Sequence, residues 1–131
     1  MSVAPLIGIV DDEEPFRRAL ARLLEAHDFR TAGFASGPEF LAEAGRRRFD
    51  CLLLDLVMPG LSGLDVLAAL DGHPHAPPAI VISGLDDPEL FQRARSMKAF
   101  ECHSKPIGEA QLLGAIERAL QVKGDVTQSP G

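Results

Sequence analysis

Five short apolar runs alternate with segments of helical periodicity along this chain, and this alternation most constrains the fold. The clearest runs are Leu6–Val10, 51–55 and Ala79–Ser83, and weaker ones occupy 29–34 and 100–104. Short runs that are almost wholly apolar are typical of strands buried on both faces of a parallel sheet. The pattern predicts a three-layer α/β sandwich, in which helices cover both faces of a five-stranded parallel sheet through right-handed crossovers.

The segments between the runs carry the signals of helices. Between the first two runs, apolar residues recur at the spacing i, i+3, i+4, i+7 and i+8, starting from Phe16. Ser36 and Glu39 form a capping-box pattern before a short helix, and further helices are predicted at 64–70, at 87–97 and at 109–121. The residues after 121 are polar, so we expect a domain over 1–121 and a tail or the start of a linker over 122–131.

Composition narrows the class of protein. The 131 residues carry a net charge of −6, which argues against binding nucleic acid through bulk attraction to phosphates. No apolar run reaches the length of a membrane helix, and the first residues show no signal-peptide pattern, so a cytoplasmic protein is expected. Cys51 and Cys102 show no metal-ligand spacing.

The residues at the carboxyl ends of the predicted strands carry the candidate chemistry. In an open parallel sheet, binding sites form beyond these ends. Asp11 and Asp12 follow the first strand, Asp55 ends the third, Ser83 ends the fourth and Lys105 follows the fifth. Any one of these residues could simply meet solvent, but five suitable residues at four strand ends favour a site.

Three carboxylates in one place repel one another unless a cation lies among them. Oxygen ligands suit a hard divalent ion, Mg²⁺ before Zn²⁺. An aspartate beside Mg²⁺ can act as a nucleophile on a phosphoryl group, while Lys105 and Ser83 are able to contact the other phosphoryl oxygens. The set is sufficient for forming an acyl phosphate on one aspartate.

These residues and their neighbours resemble the CheY-like receiver domain of two-component response regulators. The resemblance covers about residues 5 to 121 and rests on Asp11-Asp12, Asp55 with Met58-Pro59-Gly60 and Gly63, Ser83-Gly84, and Lys105-Pro106. The first predicted helix, Phe34-Ala35-Ser36 and Glu39-Phe40-Leu41 further resemble FixJ-like regulators. The resemblance implies a flavodoxin-like (βα)5 fold with strand order 2-1-3-4-5. It also implies a cis Lys105–Pro106 bond.

For the metal, the resemblance implies that Asp12, Asp55 and the backbone carbonyl of Val57 bind Mg²⁺ directly, while Asp11 acts largely through water. It implies that Asp55 accepts a phosphoryl group from a phosphohistidine of a sensor histidine kinase or phosphotransfer protein.

For the phosphoryl group, the resemblance implies that Ser83 moves toward it, that Lys105 pairs with it and that Gly84 keeps the site open. Phosphorylation would then switch the conformation that controls an output partner or domain, such as one that regulates transcription, with a homodimer as a possible product. The chain itself is expected to act as a switch that catalyses its own phosphorylation and dephosphorylation, without binding nucleic acid or membrane.

Several positions depart from the family pattern. Cys102 replaces the usual Phe or Tyr three residues before the lysine, Lys98 replaces a usual glycine, and His103 replaces an aliphatic residue. Val57 and Leu85 occupy the two positions that border the approach of water in receivers. Both are apolar, so we expect a long-lived phosphorylated state. With strand order 2-1-3-4-5, the strands of Cys51 and Cys102 are not neighbours, which predicts two free thiols.

Two other functions fit parts of the pattern. A haloacid-dehalogenase-type phosphatase also has an aspartate nucleophile after an apolar strand, but it needs a second aspartate two residues later, where Val57 stands. A flavodoxin-type flavin-binding module has the same topology, but it needs a phosphate-cradling loop after the first strand. The acidic run 11–14 would repel phosphate there in the absence of a metal.

Overall fold

The fold is known from a computed structural model that describes residues 3–84 and 87–128, with the side chains of 3–84 and 87–122. Strands and helices alternate throughout. The strands are β1 (Leu6–Val10), β2 (Arg30–Phe34), β3 (Cys51–Leu54), β4 (Ala79–Ser83) and β5 (Glu101–Ser104). The helices are α1 (Glu14–Ala26), α2 (Gly37–Ala44), α3 (Gly63–Leu70), α4 (Pro88–Ser96) and α5 (Glu109–Gln128).

All five strands pair in parallel in the order β2-β1-β3-β4-β5. This confirms the predicted fold class and strand order. β2 is an edge strand and is only partly buried, whereas every residue of β1, β3 and β4 is buried. The all-apolar runs are therefore the strands with neighbours on both sides, as expected for a sheet covered by helices on both faces.

The sheet divides the core into two clusters because successive side chains of a strand point to opposite faces. Phe40, Phe49 and Phe91 belong to the cluster on the face of α2, α3 and α4. Leu24 and Ile116 belong to the cluster on the face of α1 and α5. In the first cluster, Phe40 packs against Phe49 with ring centroids 5.2 Å apart, and the edge-on ring of Phe34 contacts both.

Side-chain caps set the starts of several helices. Asp87 accepts hydrogen bonds from the backbone N–H groups of Glu89 and Leu90, as expected for the residue before α4. Ser36 accepts from the N–H of Glu39 at 3.4 Å, which is one half of the predicted capping box. The other half differs, because the Glu39 carboxylate accepts from Ala35 at 3.0 Å.

The last helix is longer than the sequence pattern predicts. α5 continues to Gln128, whereas the apolar periodicity ends near residue 121. The added stretch includes Gly124, Asp125 and Thr127, which are poor helix formers, so neither apolar spacing nor helix propensity predicts it. The division into a domain over 1–121 and a tail over 122–131 remains a prediction, and residues 129–131 lie outside the described part. No helix among the described residues is long and apolar enough to cross a membrane.

Candidate functional site

The register of the sheet brings the predicted site residues together. Val10 of β1 and Leu54 of β3 are register partners, so Asp11 and Asp55, which follow them, emerge side by side. The backbone N–H of Asp55 donates to the carbonyl of Val10 at 3.0 Å, which extends the pairing to the site. The two aspartates are placed by strand pairing, although 44 positions separate them in the chain.

The three predicted carboxylates form one cluster. Among the described residues, Asp11, Asp12 and Asp55 can each offer one carboxylate oxygen within 4.8 Å of the others. Asp11 and Asp55 are buried, with 2% and 4% of their surfaces exposed, while Asp12 is exposed. A set of carboxylate oxygens open to solvent on one side fits a hard divalent cation such as Mg²⁺, which keeps part of its water shell.

The Asp55 carboxyl is electrostatically perturbed. Burial raises its pKa to about 6. The backbone N–H of Val57, which donates to Asp55 at 3.2 Å, and the charge of Lys105 act in the opposite direction. The charges of Asp11 and Asp12 raise the pKa further. A bound cation would favour the ionised form of the whole cluster.

Lys105 supplies the positive charge of the site. Its ammonium lies 2.9 Å from Asp11, 2.6 Å from Glu13 and 3.6 Å from Asp55. It also lies 4.4 Å from the centre of the Phe16 ring, a cation–π distance. Burial opposes the charged form, but the hydrogen bonds to Glu13 and Asp11 outweigh it, and the pKa of Lys105 is raised above its usual value.

Ser83 and Gly84 lie at the end of β4, beside Lys105. Ser83 is fully buried, and its carbonyl accepts a hydrogen bond from the backbone N–H of Lys105 at 2.8 Å. A Cβ atom at Gly84 would lie 3.9 Å from the Lys105 side chain, so a larger residue at position 84 would pack against that side chain. The Lys105–Pro106 bond is cis, which confirms that prediction.

The loop after Asp55 is held by a close contact with α3. Gly63 donates its backbone N–H to the carbonyl of Leu56 at 3.1 Å. Ser62 and Asp65 form a reciprocal capping box that starts α3, with Ser62 N–H donating to the Asp65 carboxylate at 2.9 Å. The Ser-x-x-Asp spacing of this capping box is visible in the sequence.

β5 carries two of the departures from the family pattern, Cys102 and His103. The Cys102 thiol lies 3.8 Å from the carbonyl of Phe91 in α4, in the position where the family places an aromatic side chain. His103 contacts the Glu101 carboxylate at 2.9 Å, and Arg118 of α5 donates to the same carboxylate at 2.6 and 2.9 Å. His103 is therefore a partly buried side chain with a polar partner. Cys51 and Cys102 are free, as predicted.

Two positions were expected to control water near Asp55. Val57 is 48% exposed, so its apolar side chain is open to solvent two residues after Asp55. Leu85 lies outside the described residues. The slow loss of the phosphoryl group stays a prediction.

Sequence reasoning missed the part played by Glu13. Four acidic residues follow β1 in a row, and no local pattern distinguishes the one that reaches Lys105, 92 positions away. Arg17 was also missed: its guanidinium donates to the backbone carbonyl of Asp11 at 2.6 Å, which braces the same turn.

Comparison with known proteins agrees with this geometry. Residues 7–117 match the family model of the response regulator receiver domain. The response regulator protein TmoT of Ectopseudomonas mendocina is 38% identical over 117 residues, covering 89% of this chain and 53% of TmoT. The transcriptional regulatory protein FixJ of Rhizobium meliloti strain 1021 is 37% identical over 113 residues, which are 86% of this chain and 55% of FixJ.

The solved structures give the same result. The crystal structure of FixJ-N superposes with a TM-score of 0.84 at 36% identity, covering 92% of this chain and 96% of that one. The chain spans about half the length of the curated relatives it matches. Neither the haloacid-dehalogenase-type phosphatase nor the flavin-binding module is supported. The chain belongs to the family of response regulator receiver domains of two-component systems.

Proposed function

We propose that this receiver domain accepts a phosphoryl group on Asp55 from a phosphohistidine of a sensor histidine kinase or phosphotransfer protein. The observation that carries this proposal is the convergence of Asp11, Asp12 and Asp55 with Lys105 at one edge of the sheet. With a divalent cation held among the carboxylates, this arrangement would neutralise the negative charge of an incoming phosphoryl group.

In the proposed reaction, an oxygen of Asp55 forms the new bond to phosphorus while the bond between phosphorus and the donor histidine nitrogen breaks. The histidine nitrogen keeps the electron pair of the broken bond, and the donor leaves as neutral imidazole because its other ring nitrogen carries a proton. The hydrogen bond from the Val57 N–H to the other carboxylate oxygen orients the Asp55 side chain for attack. Because the site opens to solvent on the side of the exposed Asp12, a donor histidine can approach from there.

The donor set fits Mg²⁺. Asp12, Asp55 and the backbone carbonyl of Val57 would hold the ion directly, and Asp11 would contribute largely through water. When bound, Mg²⁺ supplies charge neutralisation to the phosphoryl oxygens. Both oxygens of Asp11 already accept hydrogen bonds, from Lys105 and from the Glu13 N–H, which is consistent with a contribution of Asp11 through water.

The remaining phosphoryl oxygens would be bound by Lys105 and Ser83, and Gly84 leaves room beside them. Lys105 already lies 3.6 Å from Asp55, so a small movement of its ammonium would bring it to the phosphoryl group. Ser83 lies at the end of β4 and would donate its hydroxyl hydrogen bond.

The switch that follows would act on an output partner or domain, consistent with relatives that are described as transcriptional regulators. The same proposal includes self-catalysed phosphorylation and dephosphorylation, a homodimer on phosphorylation, and a cytoplasmic location shared with the kinase domain that serves as the donor.

The test is phosphorylation by acetyl phosphate with Mg²⁺, followed by intact-mass and peptide analysis. The wild type should gain one phosphoryl group, located on Asp55, and the gain should be lost when EDTA replaces Mg²⁺. Asp55→Asn should gain none. Asp28→Asn is the matched control, because Asp28 is exposed and its positive φ of 69° is well tolerated by Asn. Phosphorylation of a folded Asp55→Asn variant at the wild-type level would overturn the assignment.

A further inference from the structure

The Lys105 ammonium is shared among three carboxylates, and its closest contact is with the one outside the acidic cluster. The distances are 2.6 Å to Glu13, 2.9 Å to Asp11 and 3.6 Å to Asp55. A separation of 3.6 Å is too long for a hydrogen bond. Lys105 is therefore hydrogen-bonded to Glu13 and Asp11, and it is only near the proposed phosphoryl acceptor.

The position of Glu13 makes it a competitor for this ammonium. Its side chain is 62% exposed, while that of Lys105 is 13% exposed, so Glu13 reaches from the surface over the site. The Glu13 backbone is held in place, because its N–H donates to the Asp11 carboxylate at 2.8 Å. The ring of Phe16 lies against the ammonium at 4.4 Å, so Lys105 is contacted by the same turn on a second side.

We propose that Glu13 is a positioning residue that retains Lys105 away from Asp55 until a phosphoryl group arrives. The inference rests on the proposed function. An ammonium has three hydrogens, and contacts with Glu13 and Asp11 use two of them. A phosphoryl group on Asp55 would draw the ammonium toward it and stretch the contact with Glu13, which is the more exposed and more easily hydrated partner.

The contact between Glu13 and Lys105 should therefore weaken the binding of a phosphoryl group, because it must be broken when Lys105 moves. An exposed ion pair with a short contact contributes about 0.4 to 1 kcal/mol, so the removal of Glu13 should strengthen binding of a phosphoryl mimic by roughly two- to fivefold. The same loss should leave the fold intact, since Glu13 contributes only an exposed carboxylate to this turn. Removing a negative charge near an anion site also strengthens anion binding. The experiment must therefore distinguish the loss of the Glu13–Lys105 contact from the loss of the Glu13 charge.

The experiment measures the affinity for beryllofluoride in the presence of Mg²⁺, by calorimetry and by NMR titration. Glu13→Gln is compared with Glu14→Gln, which removes the neighbouring charge from a glutamate that pairs with Arg18 at 3.5 Å. Both substitutions are repeated in a Lys105→Met background. We expect Glu13→Gln to bind two- to fivefold more tightly, Glu14→Gln to differ little from the wild type, and the advantage of Glu13→Gln to vanish without Lys105.

Two further measurements distinguish the outcomes. The advantage of Glu13→Gln should shrink at high salt, because the contact is exposed. Mg²⁺ affinity measured without beryllofluoride in the Lys105→Met background should fall no further in Glu13→Gln than in Glu14→Gln, and a larger fall would mean that Glu13 belongs to the metal site, which would overturn the inference. Equal beryllofluoride affinity in wild type and Glu13→Gln, or an equal gain with and without Lys105, would also overturn it. Failure of the wild type to bind beryllofluoride would instead count against the proposed function.

Discussion

The backbone of Gly63 lies so close to the carbonyl group of Asp55 that no side chain fits between them. A Cβ atom at residue 63 would overlap that carbonyl oxygen and would lie 2.7 Å from the Cα of Leu56. Both neighbours are backbone atoms, which cannot rotate away as a side chain can. The first turn of α3 and the loop that carries the proposed phosphoryl acceptor therefore form one packed unit.

Gly63→Ala should lower the free energy of unfolding by roughly 1–3 kcal/mol, because the backbone must shift to admit the methyl group. The matched control is Gly45→Ala at the end of α2, where the nearest atom would be 3.7 Å away and φ is −76°. That substitution should leave stability unchanged or raise it slightly. Urea unfolding followed by circular dichroism checks both variants. Equal stability of the two variants would show that the loop after β3 can move independently of α3.

Asp12→Asn should stabilise the chain without metal and weaken its response to Mg²⁺. Asp12 brings a third negative charge within 4.8 Å of two buried carboxylates, so its removal relieves repulsion worth up to about 1 kcal/mol. Thermal unfolding in EDTA and in Mg²⁺ measures both effects. Asp28→Asn serves again as the control for loss of an exposed aspartate. An unchanged increase in melting temperature with Mg²⁺ would exclude Asp12 as a ligand.

Arg118→Gln should lower stability near neutral pH and have progressively less effect in acid. Hydrogen bonds from Arg118 hold the pKa of Glu101 at about 2, against burial and with help from His103, compared with its usual value of 4.5. A folded-state pKa below the unfolded one stabilises the fold above pH 4.5, and this contribution disappears as the pH falls toward 2. We expect the loss near neutral pH to be small, because Arg118 is half exposed and solvent screens the pair.

The measurements are urea unfolding at several pH values and an NMR titration of the Glu101 carboxyl. In Arg118→Gln, the pKa of Glu101 should move toward its usual value. Arg22→Gln removes an exposed arginine of α1 and controls for the change in net charge. A stability loss of the same size at every pH would mean that Arg118 acts through packing alone.

The two thiols should react at very different rates. Cys51 is fully buried in β3, whereas Cys102 is partly exposed. Burial raises the pKa of the Cys102 thiol, with the charge of Arg95 acting in the opposite direction, so its reaction with a disulfide reagent should be slow near neutral pH. The native chain should expose one reactive thiol and the denatured chain two. Cys102→Ser should abolish the native reaction, and its persistence would contradict this ordering.

Much of the fold follows from local sequence because the three inner strands are almost wholly apolar. Short apolar runs that alternate with amphipathic helices favour a parallel sheet covered by helices, and the ends of β1, β3 and β4 were predicted within one residue. The convergence of Asp11 and Asp55 was also predictable, since parallel strands end at a common edge. These predictions depend on the spacing of apolar residues and on which residues follow each strand, and both can be read from a single sequence.

Other features depend on contacts that no local pattern encodes. The ion pair between Glu13 and Lys105 joins an acidic turn to a residue 92 positions away, and any of four acidic residues fits the turn. The extension of α5 to Gln128 involves polar residues without apolar periodicity, so hydrophobic spacing gives no signal for it. The close contact between Gly63 and Asp55 is likewise tertiary. The sequence shows the glycine but not the backbone that it approaches.

The pairing of Ser83 with Ser104 makes the position of Lys105 a direct consequence of how β5 aligns with β4. Deleting one residue from β5 would either retract Lys105 by about 3.3 Å along the strand or exchange the faces on which Cys102 and His103 lie. Asp11 and Asp55 would stay in place, because they follow β1 and β3. A chain with such a deletion would therefore keep the proposed phosphoryl acceptor but leave Lys105 too far away to neutralise it.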